Sequence, residues 1–165
     1  MSNPVGRVLV TGGSSGLGAA VVEAVQADGG TAYVLDRVAP EADVEHEIVD
    51  IADTRAAEAA VRKVAERAGG LDAVVTAAGI DRCGRLEDVA PEEWERVIAV
   101  NLLGTAAVVR AALPALLETH GKVLTVASTL GLRALSDATA YSASKFGGVR
   151  ARSTPRRRAA SASRC

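Results

Sequence analysis

Tyr141 and Lys145 stand four residues apart in the segment Tyr-Ser-Ala-Ser-Lys. Residues at that spacing in an α-helix share one face, so a phenol and an ammonium group would lie side by side. A free tyrosine keeps its proton up to about pH 10, and ionising it near neutral pH requires about 4 kcal/mol. A unit positive charge about 4 Å away, at an effective dielectric constant of about 20, supplies that amount. The pair therefore predicts a tyrosine that can donate and accept a proton.

A glycine-rich segment, Thr-Gly-Gly-Ser-Ser-Gly-Leu-Gly, occupies residues 11–18. Glycines let the backbone approach a pyrophosphate, and the helix that follows offers free N–H donors and a positive dipole end. A tight turn without a ligand would use similar residues. The segment follows a strand pattern and precedes a helical one, which favours dinucleotide binding. The residues expected to bind are Gly12, Ser14, Ser15, Gly16, Leu17 and Gly18.

Asp36 ends the second apolar run, 18 residues beyond Gly18. An acid about 20 residues after such a loop can accept a hydrogen bond from a ribose 2′-hydroxyl, and it would repel a 2′-phosphate. Arg37 follows at once and could accept that phosphate, which weakens the preference. We therefore expect NAD to be favoured over NADP.

The elements that must position these residues form an alternating pattern. Short apolar runs alternate with segments of helical spacing, which is typical of βαβ units around a parallel sheet. Strands are predicted at 7–11, 31–36, 47–50, 71–76 and 122–128, and helices around 17–25 and 57–65. The expected fold class is α/β, a doubly wound Rossmann-type parallel sheet with about five strands present.

A long helix is predicted from Pro91 to about Glu118. Proline suits the first helical turn, and Glu92 and Glu93 suit the positive end of the dipole. Pro114 marks the place where this helix could bend. The apolar stretch within it is interrupted by polar residues and falls short of the roughly 18 uninterrupted apolar residues of a membrane helix, so we interpret it as a buried or interface helix.

Charge is unevenly distributed along the 165 residues. Residues 1–145 carry 13 Lys+Arg against 20 Asp+Glu, whereas residues 146–165 carry six arginines and no acid. Arginine, alanine and serine without apolar periodicity predict a disordered tail over residues 150–165. The N-terminus lacks a secretory pattern, and the two cysteines have no disulfide or metal spacing, so we expect a cytoplasmic protein. His46 and His120 stand alone, and no metal site is predicted.

The glycine spacing Thr-Gly-x-x-x-Gly-x-Gly with Tyr-x-x-x-Lys far downstream resembles the short-chain dehydrogenase/reductase family. The resemblance covers residues 5 to about 149. It implies that Asp50 and Ile51 contact the adenine. It also places Ala77, Ala78 and Gly79 beside the cofactor, although the family usually has Asn-Asn-Ala-Gly where this chain has Thr-Ala-Ala-Gly. A subunit interface along the 91–118 helix is implied as well.

The family resemblance also assigns the catalytic set, namely Asn101, Ser128, Tyr141 and Lys145. Ser128 would donate to a substrate oxygen and Tyr141 would exchange a proton with it, while the nicotinamide exchanges hydride with the carbon. Lys145 would bind the ribose hydroxyls and stabilise the ionised tyrosine. Asn101 would position a water next to the lysine. Taken singly, Ser128 and Asn101 could equally be structural.

Members of the family are usually about 250 residues long, so residues 1–149 are interpreted as an incomplete domain, truncated at its C-terminus. Without the family's two further strands, the fifth strand would lie at an edge or pair with something else. Three functions stay open. The first is an oxidoreductase acting on a small-molecule alcohol or carbonyl, and the second is a nucleotide-binding domain without turnover. The third is an anion-binding protein that uses its arginine-rich tail, but the tail lacks aromatic residues, so neither nucleic acid nor membrane is an expected partner.

Overall fold

The computed structural model describes residues 5–150 and shows a five-stranded sheet with helices on both faces. The strands are β1 (Arg7–Thr11), β2 (Thr31–Asp36), β3 (Glu45–Ile48), β4 (Ala73–Thr76) and β5 (Lys122–Thr125). The helices are α1 (Gly16–Ala27), α2 (Thr54–Ala68), α3 (Pro91–Ile98), α4 (Thr105–Thr119) and α5 (Thr139–Arg150). All strand pairs are parallel and the order is β3-β2-β1-β4-β5. The predicted α/β doubly wound fold is confirmed.

Two apolar cores cover the two faces of the sheet. On one face Leu9, Leu35 and Val74 pack with residues of α2 and α4. On the other face Val10 and Val34 pack with the buried side of α1. Alternating strand residues thus enter different cores, as the two-residue period of a strand requires. Because both faces are covered at β1 and β2, these strands are apolar without interruption between their first and last residues, as is usual in parallel sheets.

Three predicted strands differ from the observed ones at their ends. The third strand lies at Glu45–Ile48 instead of 47–50, so Asp50 stands in the turn that follows it. The fourth begins at Ala73 instead of Leu71, since Asp72 is engaged by Arg7. The fifth ends at Thr125 instead of Ser128, because Ser128 caps a short 3-10 turn, Thr129–Gly131. Apolar runs alone do not indicate where pairing stops.

The predicted helix from Pro91 to Glu118 is interrupted at Asn101 and not at Pro114. Residues Ala99–Gly104 form a wider π-helical turn between α3 and α4, and helical structure continues through Pro114. Such turns are frequent at functional sites. Pro91–Thr119 as a whole is long and apolar enough to cross a membrane by length and composition. The core helix of a folded domain passes the same test, and Val97, Val108 and Ala112 are fully buried in this fold.

Strand β5 forms one edge of the sheet. It pairs with β4, and all four of its residues are exposed. Leu124, which is opposite Val75 in the register, is 59% exposed, whereas Val75 is 6% exposed. The prediction that the fifth strand lies at an edge is therefore confirmed. The predicted disordered tail lies outside the described residues, apart from Arg150.

Candidate active site

The candidate site lies at the carboxyl ends of β1 and β4. Sequence order reverses between these two neighbours, and ligands of open α/β sheets bind at such a point. The loops that follow the two strands touch each other, because a Cβ on Gly12 would lie 2.7 Å from Ala78 Cα. Thr11 joins them further, since its hydroxyl accepts a hydrogen bond from Ala78 N at 3.2 Å. The glycine loop and residues 77–79 therefore form one continuous surface.

The glycines of the loop serve two different needs. A Cβ on Gly18 would lie 2.0 Å from Gly12 O, so the start of α1 packs too closely on the loop for any side chain. Gly16 instead has φ +51, and a Cβ there would meet no described atom within 4 Å. Ser15, the N-cap of α1, makes no side-chain capping bond, and Leu17 is exposed. The first turn of α1 thus borders open space, as an anion site requires.

Asp36 lies beside this open space at the end of β2. Its carboxylate accepts hydrogen bonds from Ser14 N at 3.0 Å and from Arg37 N. The Ser14 hydroxyl donates to Val38 O at 2.7 Å, which ties the glycine loop to the segment after β2. The carboxylate is therefore held by backbone groups at the rim of the loop.

Asp50 and Ile51 follow β3 and have different environments. The Asp50 carboxylate accepts hydrogen bonds from Ala52 N at 3.0 Å and from the guanidinium of Arg96 on α3. Burial acts to raise the pKa of Asp50, but these two donors outweigh it, so the pKa lies below its ordinary value. The Ile51 side chain is 5% exposed within the core and offers little apolar surface to a ligand.

Asn101 is buried in the π-helical turn and joins three segments. Its side-chain oxygen accepts from Ile80 N at 2.9 Å, and its amide nitrogen donates to Ile80 O at 2.8 Å. The same nitrogen donates to the Ser144 hydroxyl at 3.1 Å, and that hydroxyl donates to Tyr141 O. Asn101 therefore fixes the loop after β4 against the helix that carries Tyr141.

Lys145 reaches from α5 towards the ends of β4 and β5. Its Nζ donates to Val126 O at 3.0 Å and lies 5.4 Å from the centroid of the Tyr141 ring. A Cβ on Gly79 would lie 3.8 Å from Lys145 Nζ and 3.4 Å from Asn101 Oδ1. Burial lowers the pKa of Lys145. Lys145 and Asn101 thus converge on Gly79, and the Tyr141 ring lies next to the lysine.

Ser128 caps the short turn Thr129–Gly131. Its hydroxyl oxygen accepts a hydrogen bond from Leu130 N at 3.2 Å, and the turn packs against α5. The structural role that the sequence left open is therefore present. That bond uses the serine as an acceptor, so the hydroxyl proton stays available for donation.

The histidines, the tryptophan and the described cysteine complete the residue types that can carry chemistry. His46 and His120 are exposed, as expected, and no cluster of metal-ligating side chains occurs among residues 5–148. Trp94 is half-buried on α3. Cys83 is an exposed free thiol whose pKa is raised, chiefly by its hydrogen bond to Asp81.

Comparison with known proteins decides the family. The family model described as short chain dehydrogenase matches residues 6–161. The chain belongs to the short chain dehydrogenase family. The resemblance carried by the glycine loop and by Tyr141 and Lys145 is thereby confirmed.

The similarity to individual relatives covers most of this chain. D-beta-hydroxybutyrate dehydrogenase from Cupriavidus necator is 33% identical over 152 residues, which cover 84% of this chain and 59% of that protein. The ligand-free aldohexose dehydrogenase structure from Thermoplasma acidophilum superposes with a TM-score of 0.83 and 27% identity, covering 87% of this chain and 57% of the other. An alcohol dehydrogenase from Thermococcus sibiricus with bound 5-hydroxy-NADP gives a TM-score of 0.81 and 28% identity, covering 86% and 66%. The chain therefore spans about three fifths of the length of the curated relatives it matches.

Three residues of the candidate site in this short chain dehydrogenase were not predicted from the sequence. Thr11 and Ser144 make the hydrogen bonds that hold the loops, and Arg96 binds Asp50. Thr11 and Ser144 lie inside the two motifs, but their small polar side chains carry no sign of a partner. Arg96 is one of several arginines on exposed helix surfaces, and no pattern links it to an acid 46 residues earlier.

Proposed function

We propose that this chain binds a nicotinamide dinucleotide, with NAD favoured, and interconverts a hydroxyl and a carbonyl group of a small molecule. The observation that carries the proposal is the convergence of Lys145 and Asn101 on Gly79, at the end of β4 and next to the glycine loop. A proton-transfer group and an anion-binding helix start thereby share one surface. Such proximity is what hydride transfer coupled to proton transfer requires.

The residues present fit a dinucleotide. The open space at Gly16 and the uncapped first turn of α1 suit a pyrophosphate, and the Asp36 carboxylate at the same rim suits ribose hydroxyls. Asp50 offers acceptor oxygens to an adenine amino group. Ala77, Ala78 and Gly79 would form the floor below the nicotinamide half. The cofactor, when bound, supplies the hydride acceptor or donor.

Tyr141 would exchange the proton. In alcohol oxidation its phenolate accepts the proton of the substrate hydroxyl, and in carbonyl reduction its phenol donates to the oxygen that becomes a hydroxyl. The Lys145 ammonium stabilises the phenolate, and Ser128 donates a hydrogen bond to the same substrate oxygen. Asn101 would hold the Lys145 surroundings in place through Ile80 and Ser144.

The preference for NAD rests on Asp36 and Arg37. A 2′-phosphate placed at the Asp36 carboxylate would meet a like charge, which disfavours NADP. Arg37 Nε lies 3.8 Å from Asp50 Oδ2, so this cation is directed towards Asp50 and away from Asp36. The Thermococcus sibiricus relative was crystallised with an NADP derivative, and titration with both cofactors is the test. We expect tighter binding of NADH than of NADPH, and the reverse order would overturn the preference.

Replacing Tyr141 with Phe tests the mechanism. We expect turnover of alcohols to fall by about 1,000-fold or more, because the group that exchanges the proton is lost, while the affinity for NADH stays within about twofold. Absorbance at 340 nm with a panel of small alcohols and carbonyls measures turnover, and fluorescence titration measures binding. Tyr33→Phe is the control, since it removes a phenol oxygen from the core and should leave the rate unchanged. A fully active Tyr141→Phe protein would contradict the role given to Tyr141.

A second candidate function is nucleotide binding without turnover. It is favoured by the exposure of β5, which adjoins Lys145 through Val126. Binding of NADH with no oxidation of any alcohol would support this second function. No binding at all would exclude both. Anion binding by the arginine-rich tail concerns residues outside the described range and stays a sequence prediction.

Self-association is proposed along residues 91–118, which comprise α3, the π-helical turn and most of α4. Leu103 and Leu117 are exposed on this segment, at 52% and 54%. An apolar surface of this kind fits a homo-oligomer better than it fits a nucleic acid or a membrane surface. We also propose a cytoplasmic location, as expected from the sequence. Light scattering of the purified chain measures its mass directly, and a monomer at all concentrations would contradict the interface.

A further inference from the structure

Asp50 is held by three groups from different parts of the chain. Its Oδ1 accepts a hydrogen bond from Ala52 N at 3.0 Å, and its Oδ2 accepts one from Nη2 of Arg96. Arg37 Nε approaches the same Oδ2 at 3.8 Å. Arg96 therefore makes the direct side-chain contact, and it does so from α3, the helix that leads into the turn carrying Asn101.

We infer that Arg96 is a positioning residue that orients the Asp50 carboxylate to accept a hydrogen bond from the 6-amino group of adenine, and that this contact makes the site select adenine over a 6-oxo purine. The inference rests on the proposed function, since it needs a dinucleotide bound along the glycine loop. It adds Arg96 as the residue on which the selectivity of the expected adenine contact depends.

The selectivity follows from what a carboxylate can do. An ionised Asp50 only accepts hydrogen bonds, and each oxygen retains a second acceptor position after Ala52 and Arg96 are bound. An amino group at position 6 of a purine donates to such an oxygen, whereas an oxo group presents a lone pair to it and is repelled. The lowered pKa of Asp50, set by the same two donors against the effect of burial, is consistent with this acceptor role.

The ion pair is better suited to positioning than to stability. The side chains of Arg96 and Asp50 are each 36% exposed, and ion pairs at that exposure contribute little to folding. Arg37 is a weaker candidate for the same role, because it is 67% exposed and lies farther away. A planar guanidinium also fixes the direction of a carboxylate better than a distant charge does.

The test compares two reduced dinucleotides whose purines differ in the group at position 6, amino in one and oxo in the other, and in the proton that N1 carries in the oxo form. Fluorescence titration with NADH and with reduced nicotinamide hypoxanthine dinucleotide gives the ratio of their dissociation constants. We expect the unmodified protein to prefer NADH about tenfold, the effect of one charge-assisted hydrogen bond. In Arg96→Met we expect the ratio to fall to about two, through weaker binding of NADH alone.

Asp50→Asn supplies an independent second variant, because an asparagine can present either its oxygen or its amino group to the base. Its ratio should be about one, and adding Arg96→Met to it should change nothing further. Arg82→Met is the matched control. It removes an exposed arginine that pairs at 2.9 Å with Glu93, a residue of α3 like Arg96, and it should leave the ratio of the two dissociation constants at the unmodified value. If Arg96→Met does not fold, Arg96→Gln makes the same comparison.

The outcomes separate this inference from the proposed function. If the unmodified protein binds neither dinucleotide, the proposed function fails and the inference fails with it. If it binds NADH with no preference over the hypoxanthine form, or if Arg96→Met lowers both affinities equally, only the role of Arg96 is overturned. A reduced ratio in Arg96→Met with an unchanged hypoxanthine affinity supports it.

Discussion

The centre of the sheet and its β5 edge differ in burial, and each is followed by one half of the candidate site. In β1 and β4 every residue after the first is buried, with apolar cores on both faces. In β5 all four residues are exposed. The glycine loop follows the buried strand β1. Ser128 and the Val126 carbonyl, which accepts a hydrogen bond from Lys145, follow the exposed strand β5.

This contrast shows how a binding surface and a catalytic group can depend on different parts of one fold. The glycine loop is fixed by contacts too close for any side chain, so its geometry is tied to the core. Helix α5, which carries Tyr141 and Lys145, is held instead by packing on α3 and the π-helical turn, and by the Asn101 and Ser144 hydrogen bonds. Substitutions at the two places should therefore have unequal effects, which three experiments can measure.

The largest expected effect is that of Gly18→Ala. Its Cβ would lie 2.0 Å from Gly12 O, so the loop or the helix must move, and we expect a loss of about 3 kcal/mol in the free energy of unfolding together with loss of NADH binding. Gly148→Ala on α5 is the matched control. A Cβ there meets no described atom within 4 Å, and alanine favours a helix, so the change should be neutral or stabilising. Urea unfolding measures both, and equal losses would contradict the contrast.

An intermediate effect on stability is expected from truncating neighbouring side chains of β4 and β5. Val75 and Leu124 are neighbours in the register, yet they are 6% and 59% exposed. Val75→Ala should cost about 2 kcal/mol because it leaves a cavity, and Leu124→Ala should cost less than about 0.5 kcal/mol. Thermal unfolding of the two variants measures the difference. A large loss in Leu124→Ala would mean that the β5 face is covered in solution.

The smallest effect concerns the Arg7–Asp72 pair, which joins the amino ends of β1 and β4 at 2.8 Å. The side-chain hydrogen bond from Arg7 is the main cause that lowers the pKa of Asp72. A lowered pKa in the folded state contributes stability above the unfolded value of about 3.9, and this contribution is lost as the pH falls through the folded value.

Asp72→Asn tests that pH dependence. We expect the variant to melt about 3 °C below the unmodified protein at pH 7, and the difference to shrink below about pH 4. Asp43→Asn, at an exposed carboxylate, serves as the control and should show no such trend. A difference between Asp72→Asn and the unmodified protein that stays constant from pH 7 to pH 3 would contradict an ionic origin.

Much of the fold could be predicted because its signals are local. The β1 and β2 strands are continuous apolar runs, and their bounds were predicted without error. The ends of β3, β4 and β5 were wrong because pairing, and not hydrophobicity, decides where a strand stops. The interruption at Asn101 was missed because no proline marks it, and because a wider turn depends on what the helix packs against.

The candidate site divides in the same way. Residue types at fixed spacing identified the glycine loop, Asp36 and the Tyr141–Lys145 pair. The hydrogen bonds of Asn101 to Ile80 and Ser144 join segments more than 20 residues apart, so they follow from packing alone. The Ile51 side chain packs in the core, which the sequence did not indicate, and its contact with the adenine stays a prediction.

By itself the sequence determined the family, the order of strands and helices, and the presence of a tyrosine four residues before a lysine on one helix, because each depends on residue type and spacing along the chain. Tertiary structure alone decided that Lys145 meets Asn101 at Gly79, that Arg96 holds Asp50, and that β5 stands exposed at the edge. These features are contacts between distant segments, and a contact exists only once the sheet order and the packing of α3, α4 and α5 are fixed.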